Sequence, residues 1–125
     1  MDKRKSACGG EIINIASVAG FEARPLLPVY CATKHAVVGL TKSYGSDYHL
    51  ERTGVRVNAI CPTKTKTNLQ LNISSHSLDE AECTRLAANV KFLEPEEVAE
   101  ALMQLLQDGK NGAMLKVDPT GRSYV

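Results

Sequence analysis

Two short apolar segments decide the fold of this chain: EIINIA at residues 11–16 and VRVNAICP at residues 55–62. Both are rich in β-branched residues, and the first is apolar almost without interruption. Such runs are typical of strands that are covered on both faces of a parallel sheet. Between them, residues 29–52 place apolar side chains at three- and four-residue steps, which predicts a long helix that stops at Gly54. The order strand, helix, strand predicts a βαβ unit with a right-handed crossover.

The second half of the chain predicts two further helices and one further strand. Residues 63–73 are polar and predict a loop. The sequence SLDE at residues 77–80 has the form of a capping box and predicts a helix that runs to about residue 90. The sequence EPEE at residues 94–97 predicts the start of another helix, with proline in its first turn. Residues 113–117 predict a third parallel strand, and a turn follows at residues 118–121. The fold class is therefore α/β, with three parallel strands.

The composition excludes several classes of protein. The chain has 125 residues, 43% of them hydrophobic, and a formal net charge of +1. The hydrophobic share is too high for a disordered chain. A charge so close to zero argues against a nucleic-acid partner, because such proteins carry a marked basic excess. No apolar run reaches the ~18 residues that a membrane-spanning helix needs. We therefore expect neither nucleic acid nor a membrane among the partners.

The cysteines predict neither disulfides nor a metal site. No apolar segment of a secretory signal follows the charged N-terminus, so we expect a cytoplasmic protein whose thiols are reduced. The cysteines form no C-x-x-C pair, and no histidine stands at ligand spacing beside them. We therefore expect no metal ion, and free, mostly buried thiols. The cysteines are Cys8, Cys31, Cys61 and Cys83.

The first candidate for chemistry is a pair of residues on the predicted helix. Tyr30 and Lys34 are four residues apart, so their side chains share one helix face. A phenol is a poor base at neutral pH, but an adjacent ammonium group stabilises its deprotonated form. The pair therefore has the chemistry of a general base with a cationic neighbour. The spacing alone is weak evidence, since a packed tyrosine near an exposed lysine gives the same pattern.

Two further segments converge on this pair. Ser17 directly follows the first predicted strand, and Pro62 closes the second. Ligands of open α/β sheets bind at the carboxyl ends of the parallel strands, where both residues are expected. Tyr30 opens the helix that follows the first strand. We therefore expect Ser17, Tyr30 and Pro62 to border one crevice.

Over nearly its whole length the sequence resembles the short-chain dehydrogenase/reductase family. GGEIINIAS at residues 9–17 is similar to the strand that leads to the family's catalytic serine. YCATK at residues 30–34 matches the family signature Y-x-[AS]-[ST]-K. VRVNAICP at residues 55–62 and LKVD at residues 115–118 match two of its later strands. Together these four segments are a specific signal.

The resemblance implies a fold, a cofactor and a substrate class. Within the family, YCATKH at residues 30–35 and NAICP at residues 58–62 look most like 15-hydroxyprostaglandin dehydrogenases. The implied fold is a partial Rossmann-like parallel sheet, in which residues 1–125 form the C-terminal catalytic half of the domain. The implied cofactor is NAD, with NADP as the alternative. The implied substrate is a small secondary alcohol or ketone, such as a hydroxy fatty acid or a prostaglandin-like molecule.

The resemblance also implies roles for three catalytic residues. Tyr30 would be the general base that takes the hydroxyl proton during oxidation. Lys34 would assist Tyr30 and hydrogen-bond the nicotinamide ribose, so both residues would also bind the cofactor. Ser17 would hydrogen-bond the substrate oxygen and stabilise the charge that develops on it.

Other residues would border the cofactor and the substrate. Backbone groups around Pro62, Thr65 and Thr67 would face the carboxamide of the nicotinamide. The wall of the substrate site would come from residues 21–29 and from residues 69–73. The wall residues singled out within these ranges are Phe21, Val29 and Leu69.

The sequence departs from the family's pattern in its cofactor fingerprint. A glycine-rich turn after the first strand of the domain normally meets the pyrophosphate, whereas Gly9 and Gly10 precede a strand. The family's catalytic asparagine has no counterpart in residues 1–10, and Thr63 replaces the usual glycine after Pro62. We therefore expect the isolated chain to bind a dinucleotide poorly, and the edge of its first strand to be exposed.

Two functional classes stay open. In the first, the chain is the catalytic half of a longer dehydrogenase, and the activity belongs to the complete protein. In the second, it is an inactive interaction module. Retention of Ser17, Tyr30 and Lys34 favours the first class, because folding does not require them together. Small residues on one face of the predicted helix 29–52 favour close packing, and related enzymes dimerise through that helix, so a homodimer is expected there.

Overall fold

The computed structural model describes residues 9–125, which form one mixed sheet with helices on both of its faces. The predicted thiol Cys8 lies outside the described residues. The strands are β1 (Gly10–Ile15), β2 (Val55–Pro62), β3 (Met114–Asp118) and β4 (Gly121–Tyr124). The helices are α1 (Pro28–Tyr44), α2 (Asp47–Thr53), α3 (Asn68–Asn72), α4 (Glu80–Ala87) and α5 (Pro95–Asp108), and two 3-10 turns span Val18–Gly20 and Ser74–His76.

The strands lie side by side in chain order, β1-β2-β3-β4. The first two pairings are parallel, with Ile12 opposite Val57 and Ile60 opposite Leu115. The predicted α/β class and the three parallel strands are therefore confirmed. Helix α1 lies on the connection between the parallel strands β1 and β2. The carboxyl ends of these two strands therefore lie at one edge of the sheet.

The fourth strand corrects the prediction of three. β4 pairs antiparallel with β3 after the predicted turn, in which Asp118 accepts a hydrogen bond of 2.8 Å from the Thr120 N–H. The sequence of β4 is GRSY, and all four residues are exposed. A strand without a buried face has no alternation of apolar and polar residues, so its sequence pattern does not reveal it. Its side chains are held to α5 instead, for example by the ion pair of 2.8 Å between Arg122 and Glu100.

The predicted continuous helix over residues 29–52 is wrong, because the chain breaks into α1 and α2 at Gly45. A Cβ atom on Gly45 would lie 2.3 Å from the Cα of Gly112, so only glycine permits this approach of the α1 end to the loop before β3. Asn111 Nδ2 donates a hydrogen bond of 2.7 Å to the Gly45 carbonyl and holds the contact. The predicted stop at Gly54 is confirmed, since this residue is left-handed and ends α2.

Helix boundaries in the second half differ from the prediction in two places. Residues 63–73 are not a loop throughout, since they contain α3. The helix predicted to open at Ser77 begins three residues later, because the Asp79 carboxylate accepts the Glu82 N–H at 2.9 Å and caps α4. The Ser77 hydroxyl instead donates to the Ser74 carbonyl. The helix start at residues 94–97 is confirmed, with Pro95 as the first residue of α5.

The apolar core occupies both faces of the sheet. One cluster lies between the sheet and α5, and the other lies between the sheet and α1. Both faces of β2 and β3 are therefore covered, as their continuous apolar runs predict. The first cluster contains Ile60, Leu93, Ala101, Leu105, Leu115 and Val117. The second contains Ala16, Val38, Ala59, Cys61 and Met114.

By contrast, β1 is an edge strand with exposed apolar residues. The side chains of Ile12 and Ile15 remain 43% and 54% exposed. Beside them lies a groove of about 390 Å³, lined by residues of β1, α1, α2 and β2. Among residues 9–125, no helix combines the length and hydrophobicity needed to cross a bilayer.

Asn58 is a buried polar residue that joins three parts of the sheet. Its Nδ2 donates to a Glu11 carboxylate oxygen on β1 at 3.0 Å and to the Lys110 carbonyl at 2.7 Å. Its Oδ1 accepts the Ala113 N–H at 2.9 Å, next to β3. The Asn58 side chain is itself fully buried, whereas Glu11 and Ala113 are half-buried and Lys110 is exposed.

We predict that Asn58→Leu lowers the free energy of unfolding by about 2–4 kcal/mol, because it removes three hydrogen bonds that a fully buried side chain makes. The measurement is urea-induced unfolding followed by circular dichroism. Asn72→Ala is the control, since Asn72 is exposed and its side chain contacts only its own helix, so a change within about 0.5 kcal/mol is expected. An equal loss in both variants would contradict the role given to Asn58.

Candidate active site

Ser17 stands where β1 ends, at the carboxyl edge of the sheet. Its backbone is extended, and its hydroxyl oxygen accepts the Ala19 N–H at 3.2 Å at the start of the 3-10 turn. The same hydroxyl donates across the edge to the Pro62 carbonyl at 3.4 Å. The Ser17 side chain therefore links the ends of β1 and β2, and its position follows from their parallel pairing.

Tyr30 and Lys34 lie on consecutive turns at the start of α1. Pro28 occupies the first helical position, so Tyr30 falls in the first turn and Lys34 one turn later. Lys34 Nζ lies 5.6 Å from the centre of the Tyr30 ring, within the range of a cation–π contact. It also donates a hydrogen bond of 3.0 Å to the carbonyl of Ile15, the last residue of β1. The sheet edge therefore holds the ammonium group beside the tyrosine.

The ammonium group and a buried thiol share this edge. Partial burial lowers the pKa of Lys34, and the negative charge that Cys61 carries only when it is deprotonated opposes this effect. Burial within the sheet raises the pKa of Cys61 to about 11, against the smaller opposite effects of a hydrogen bond from Ser17 and the charge of Lys34. The Cys61 thiol is therefore neutral near neutral pH and adds no negative charge to the site.

A cavity of about 660 Å³ opens beside these residues. Ser17 and Tyr30 line it together with Thr63, and most of the remaining wall is apolar. Three basic residues, Arg24, Lys64 and Lys91, also border it. The other lining residues are Val18, Ala19, Ala23, Pro25, Leu26, Leu27, Gln70, Ile73, Cys83, Leu86, Val90, Asp118, Pro119 and Thr120.

The residues assigned to the cofactor side occupy the segment after β2. The Pro62 carbonyl accepts the Ser17 hydroxyl, as described above. Thr65 pairs with Leu93 in an isolated bridge, and its hydroxyl donates to the Thr63 carbonyl at 3.1 Å. The Thr67 hydroxyl accepts the Gln70 N–H at 3.4 Å and caps α3. This segment therefore lies at the same sheet edge as Ser17. The hydroxyl groups of Thr65 and Thr67 already form hydrogen bonds within the segment.

The three residues singled out for the substrate wall do not line the cavity. Phe21, Val29 and Leu69 are exposed at its margins, although each lies within two residues of a lining residue. The ranges that contain them do contribute, through residues 23–27 and through Gln70 and Ile73.

Sequence reasoning did not assign the part of the wall that comes from α4 and from the end of β3. Leu86 is an exposed apolar residue of α4, Val90 follows that helix, and Asp118 is the last residue of β3. No local pattern marks them, because their place beside the cavity depends on packing between distant elements. Within the described part of the chain, no group of three or more His, Cys, Asp or Glu side chains is arranged to hold a metal ion.

The described residues fit one end of a nicotinamide dinucleotide. An ammonium group has three N–H donors, and the bond to Ile15 uses one of those on Lys34. The others could reach ribose hydroxyls beside Tyr30. Packing explains the glycine at position 20, since a Cβ there would lie 2.6 Å from the Val38 side chain. Gly20 is therefore not evidence of a phosphate site. Residues 9–125 thus offer groups for the nicotinamide ribose, but no glycine-rich turn after a strand for the pyrophosphate.

Comparison with known proteins agrees with this geometry. The family model described as short chain dehydrogenase matches residues 1–78. The chain belongs to the short-chain dehydrogenase family. This confirms the resemblance carried by the serine strand, the YCATK segment and the segment that ends at Pro62.

Two curated relatives show how close the relationship is. The chain is 38% identical to alcohol dehydrogenase 2 of Ceratitis cosyra, over 96% of this chain and 50% of that protein. It is also 38% identical to the NAD(+)-dependent 15-hydroxyprostaglandin dehydrogenase of Rattus norvegicus, over 94% of this chain and 47% of that protein. The chain therefore spans about half the length of the curated relatives it matches.

The solved structures support the same fold. A variant of actinorhodin polyketide ketoreductase, crystallised with NADPH, superposes with a TM-score of 0.72 at 32% sequence identity. The match covers 92% of this chain and 48% of the ketoreductase chain. The partial Rossmann-like sheet is thereby confirmed.

We predict that native Cys83 reacts with iodoacetamide at least ~10-fold faster than Cys61 at about pH 8, since the thiolate is the nucleophile and Cys61 is both buried and held in the thiol form. Mass spectrometry of the two tryptic peptides gives the rates. In urea the difference should disappear. Equal rates in the native protein would contradict the burial of Cys61 beneath the site.

Proposed function

We propose that the protein transfers hydride between a nicotinamide cofactor and a secondary alcohol or ketone, through Ser17, Tyr30 and Lys34. One observation carries the proposal. Lys34 is anchored to the end of β1 beside the Tyr30 ring, while Tyr30 and Ser17 line one cavity. A structural role alone does not require an anchored ammonium group beside a tyrosine that shares a ligand-sized cavity with Ser17.

In the oxidation direction, the Tyr30 oxygen takes the proton from the substrate hydroxyl as the general base. Lys34 stabilises the deprotonated phenol through its positive charge. The Ser17 hydroxyl turns from its long bond to Pro62 towards the substrate oxygen, and the Ala19 N–H that it accepts keeps it oriented. The nicotinamide, when bound, accepts or supplies the hydride.

For the cofactor we propose NAD, with NADP as the alternative. Similar proteins are known with either nucleotide. One is a NAD(+)-dependent dehydrogenase, and another was crystallised with NADPH. Tyr30 and Lys34 would hold the nicotinamide ribose. Backbone groups around Pro62, Thr65 and Thr67 would face the carboxamide, since this segment ends at the sheet edge beside Ser17.

For the substrate we propose a molecule with a long apolar body and an anionic end, such as a hydroxy fatty acid or a prostaglandin-like compound. The apolar wall supplies the first requirement, and the basic residues Arg24, Lys64 and Lys91 around the cavity supply the second. Exposed apolar residues at its margins would extend the wall over a long substrate. These residues are Phe21, Val29 and Leu69.

We also propose a cytoplasmic location. Cys31, Cys61 and Cys83 are free thiols, which suits a reducing compartment.

We predict that Tyr30→Phe lowers the rate of alcohol oxidation by at least ~10²-fold, because phenylalanine cannot accept the proton. The assay follows formation of reduced nicotinamide by absorbance, with the protein purified at the length that its gene encodes. Tyr48→Phe is the matched control, since Tyr48 is exposed on α2, away from the cavity, and its rate should equal that of the wild type. A near-normal rate for Tyr30→Phe would contradict the proposed base.

The second candidate function is an interaction module without turnover, and the exposed edge of β1 favours it. A homodimer is compatible with either function. Small exposed residues form a stripe along α1, which lets a second helix approach closely. We propose that copies of the chain associate through the segment 29–52. The stripe consists of Ala32, Ala36, Gly39 and Ser43.

We predict that Ala36→Arg converts the dimer into a monomer, since a long charged side chain blocks close approach along α1. Sedimentation velocity measures the change in mass. Ala99→Arg is the control, because Ala99 is exposed on α5, across the sheet from α1. A monomeric wild type, or a dimer that survives Ala36→Arg, would rule out this interface.

A further inference from the structure

Thr63, the first residue after β2, has a fixed backbone but an unpaired hydroxyl. Its N–H donates to the Val117 carbonyl at 2.9 Å, and its carbonyl accepts the Thr65 hydroxyl. Its Oγ1 atom is buried and has no hydrogen-bond partner. Within residues 9–125 it is the one buried side-chain nitrogen or oxygen in this condition.

An unpaired buried hydroxyl weakens a fold, because the group gives up its bonds to water without replacement. Valine has nearly the same shape as threonine and lacks this cost. Packing around residue 63 therefore gives no reason for a hydroxyl. Such a group calls for another explanation, and a ligand that pairs with it is one.

The position of Thr63 points to such a ligand. Thr63 lines the same cavity as Ser17 and Tyr30. It directly follows Pro62, whose carbonyl is bound by the Ser17 hydroxyl at 3.4 Å. Thr63 is therefore the sequence neighbour of the residue that the Ser17 hydroxyl contacts, and Thr63 and Ser17 both border the cavity. Because Thr63 lines the cavity, rotation about its Cα–Cβ bond to another staggered position can bring the hydroxyl oxygen to the cavity wall.

We propose that the Thr63 hydroxyl binds a second oxygen of the substrate, on the carbon next to the one that reacts. The preferred substrates are then vicinal diols in one direction and α-hydroxy ketones in the other. A hydroxyl group serves both, because it donates to a carbonyl oxygen and accepts from a hydroxyl group. The proposal rests on the proposed function, since it assumes that Ser17 and Tyr30 hold the reacting oxygen.

The first experiment needs no substrate. Thr63→Val is expected to unfold at the same urea concentration as the wild type or at a higher one, because it removes an unpaired polar atom and keeps the shape. A clear fall in the midpoint of Thr63→Val would show that the hydroxyl is bonded within the fold, and would overturn the proposal.

The second experiment compares two ketones that differ by one hydroxyl group, 7-oxooctanoate and 6-hydroxy-7-oxooctanoate, whose carboxylate supplies the anionic end of the proposed substrate. We expect the wild type to favour the hydroxy ketone by at least ~10-fold in kcat/KM and in the dissociation constant measured by calorimetry. Thr63→Val should lose that preference, so that its constants for the two ketones become similar. Thr63→Ser, which retains the hydroxyl, should restore the preference.

The outcomes separate this proposal from the proposed function. If the wild type binds and reduces both ketones equally well, only the role of Thr63 is overturned. If Thr63→Val changes the constants for both ketones alike, the residue shapes the cavity without recognising an oxygen, and the proposal also fails. If the wild type neither binds nor reduces either ketone, the proposed function fails, and the role of Thr63 fails with it.

Discussion

The parallel pairing of β1 with β2 is the constraint on which the rest of the structure depends. Six consecutive residues of β1 face partners on β2, and the pairing continues past the strand in the bond of 2.9 Å from the Ala16 N–H to the Ile60 carbonyl. Parallel strands end at the same edge, so Ser17 and Pro62 become neighbours although 45 residues separate them in the chain. The site is a consequence of this register.

Helix α1 is the necessary crossover between the two strands, and it supplies the other half of the site. Its packing on the sheet places Tyr30 and Lys34 over the end of β1, where the Ile15 carbonyl binds the ammonium group. A backbone carbonyl at the end of a strand is a fixed acceptor. The lysine is therefore positioned by the main chain, and its orientation does not depend on a mobile partner side chain.

Much of this arrangement could be predicted from the sequence, because the elements that build it carry strong local signals. The strands β1, β2 and β3 are apolar, β-branched runs, and Pro95 marks the start of α5 through its fixed backbone angle. The predictions from sequence were wrong or incomplete where a tertiary contact decided the local structure. The break at Gly45 depends on a close approach to Gly112, and β4 is an exposed strand whose stability comes from pairing with β3 and from contacts with α5.

By itself, the sequence determined which residues could perform chemistry and the order in which their elements follow one another. Side-chain type and spacing decide that Tyr30 and Lys34 share a helix face, and the apolar, β-branched run at residues 11–16 decides that Ser17 follows a strand. Only the tertiary structure decided what surrounds them. The part of the cavity wall that α4 contributes arises from packing between segments far apart in the chain. The same packing leaves the Thr63 hydroxyl unpaired, and no local sequence pattern predicts this.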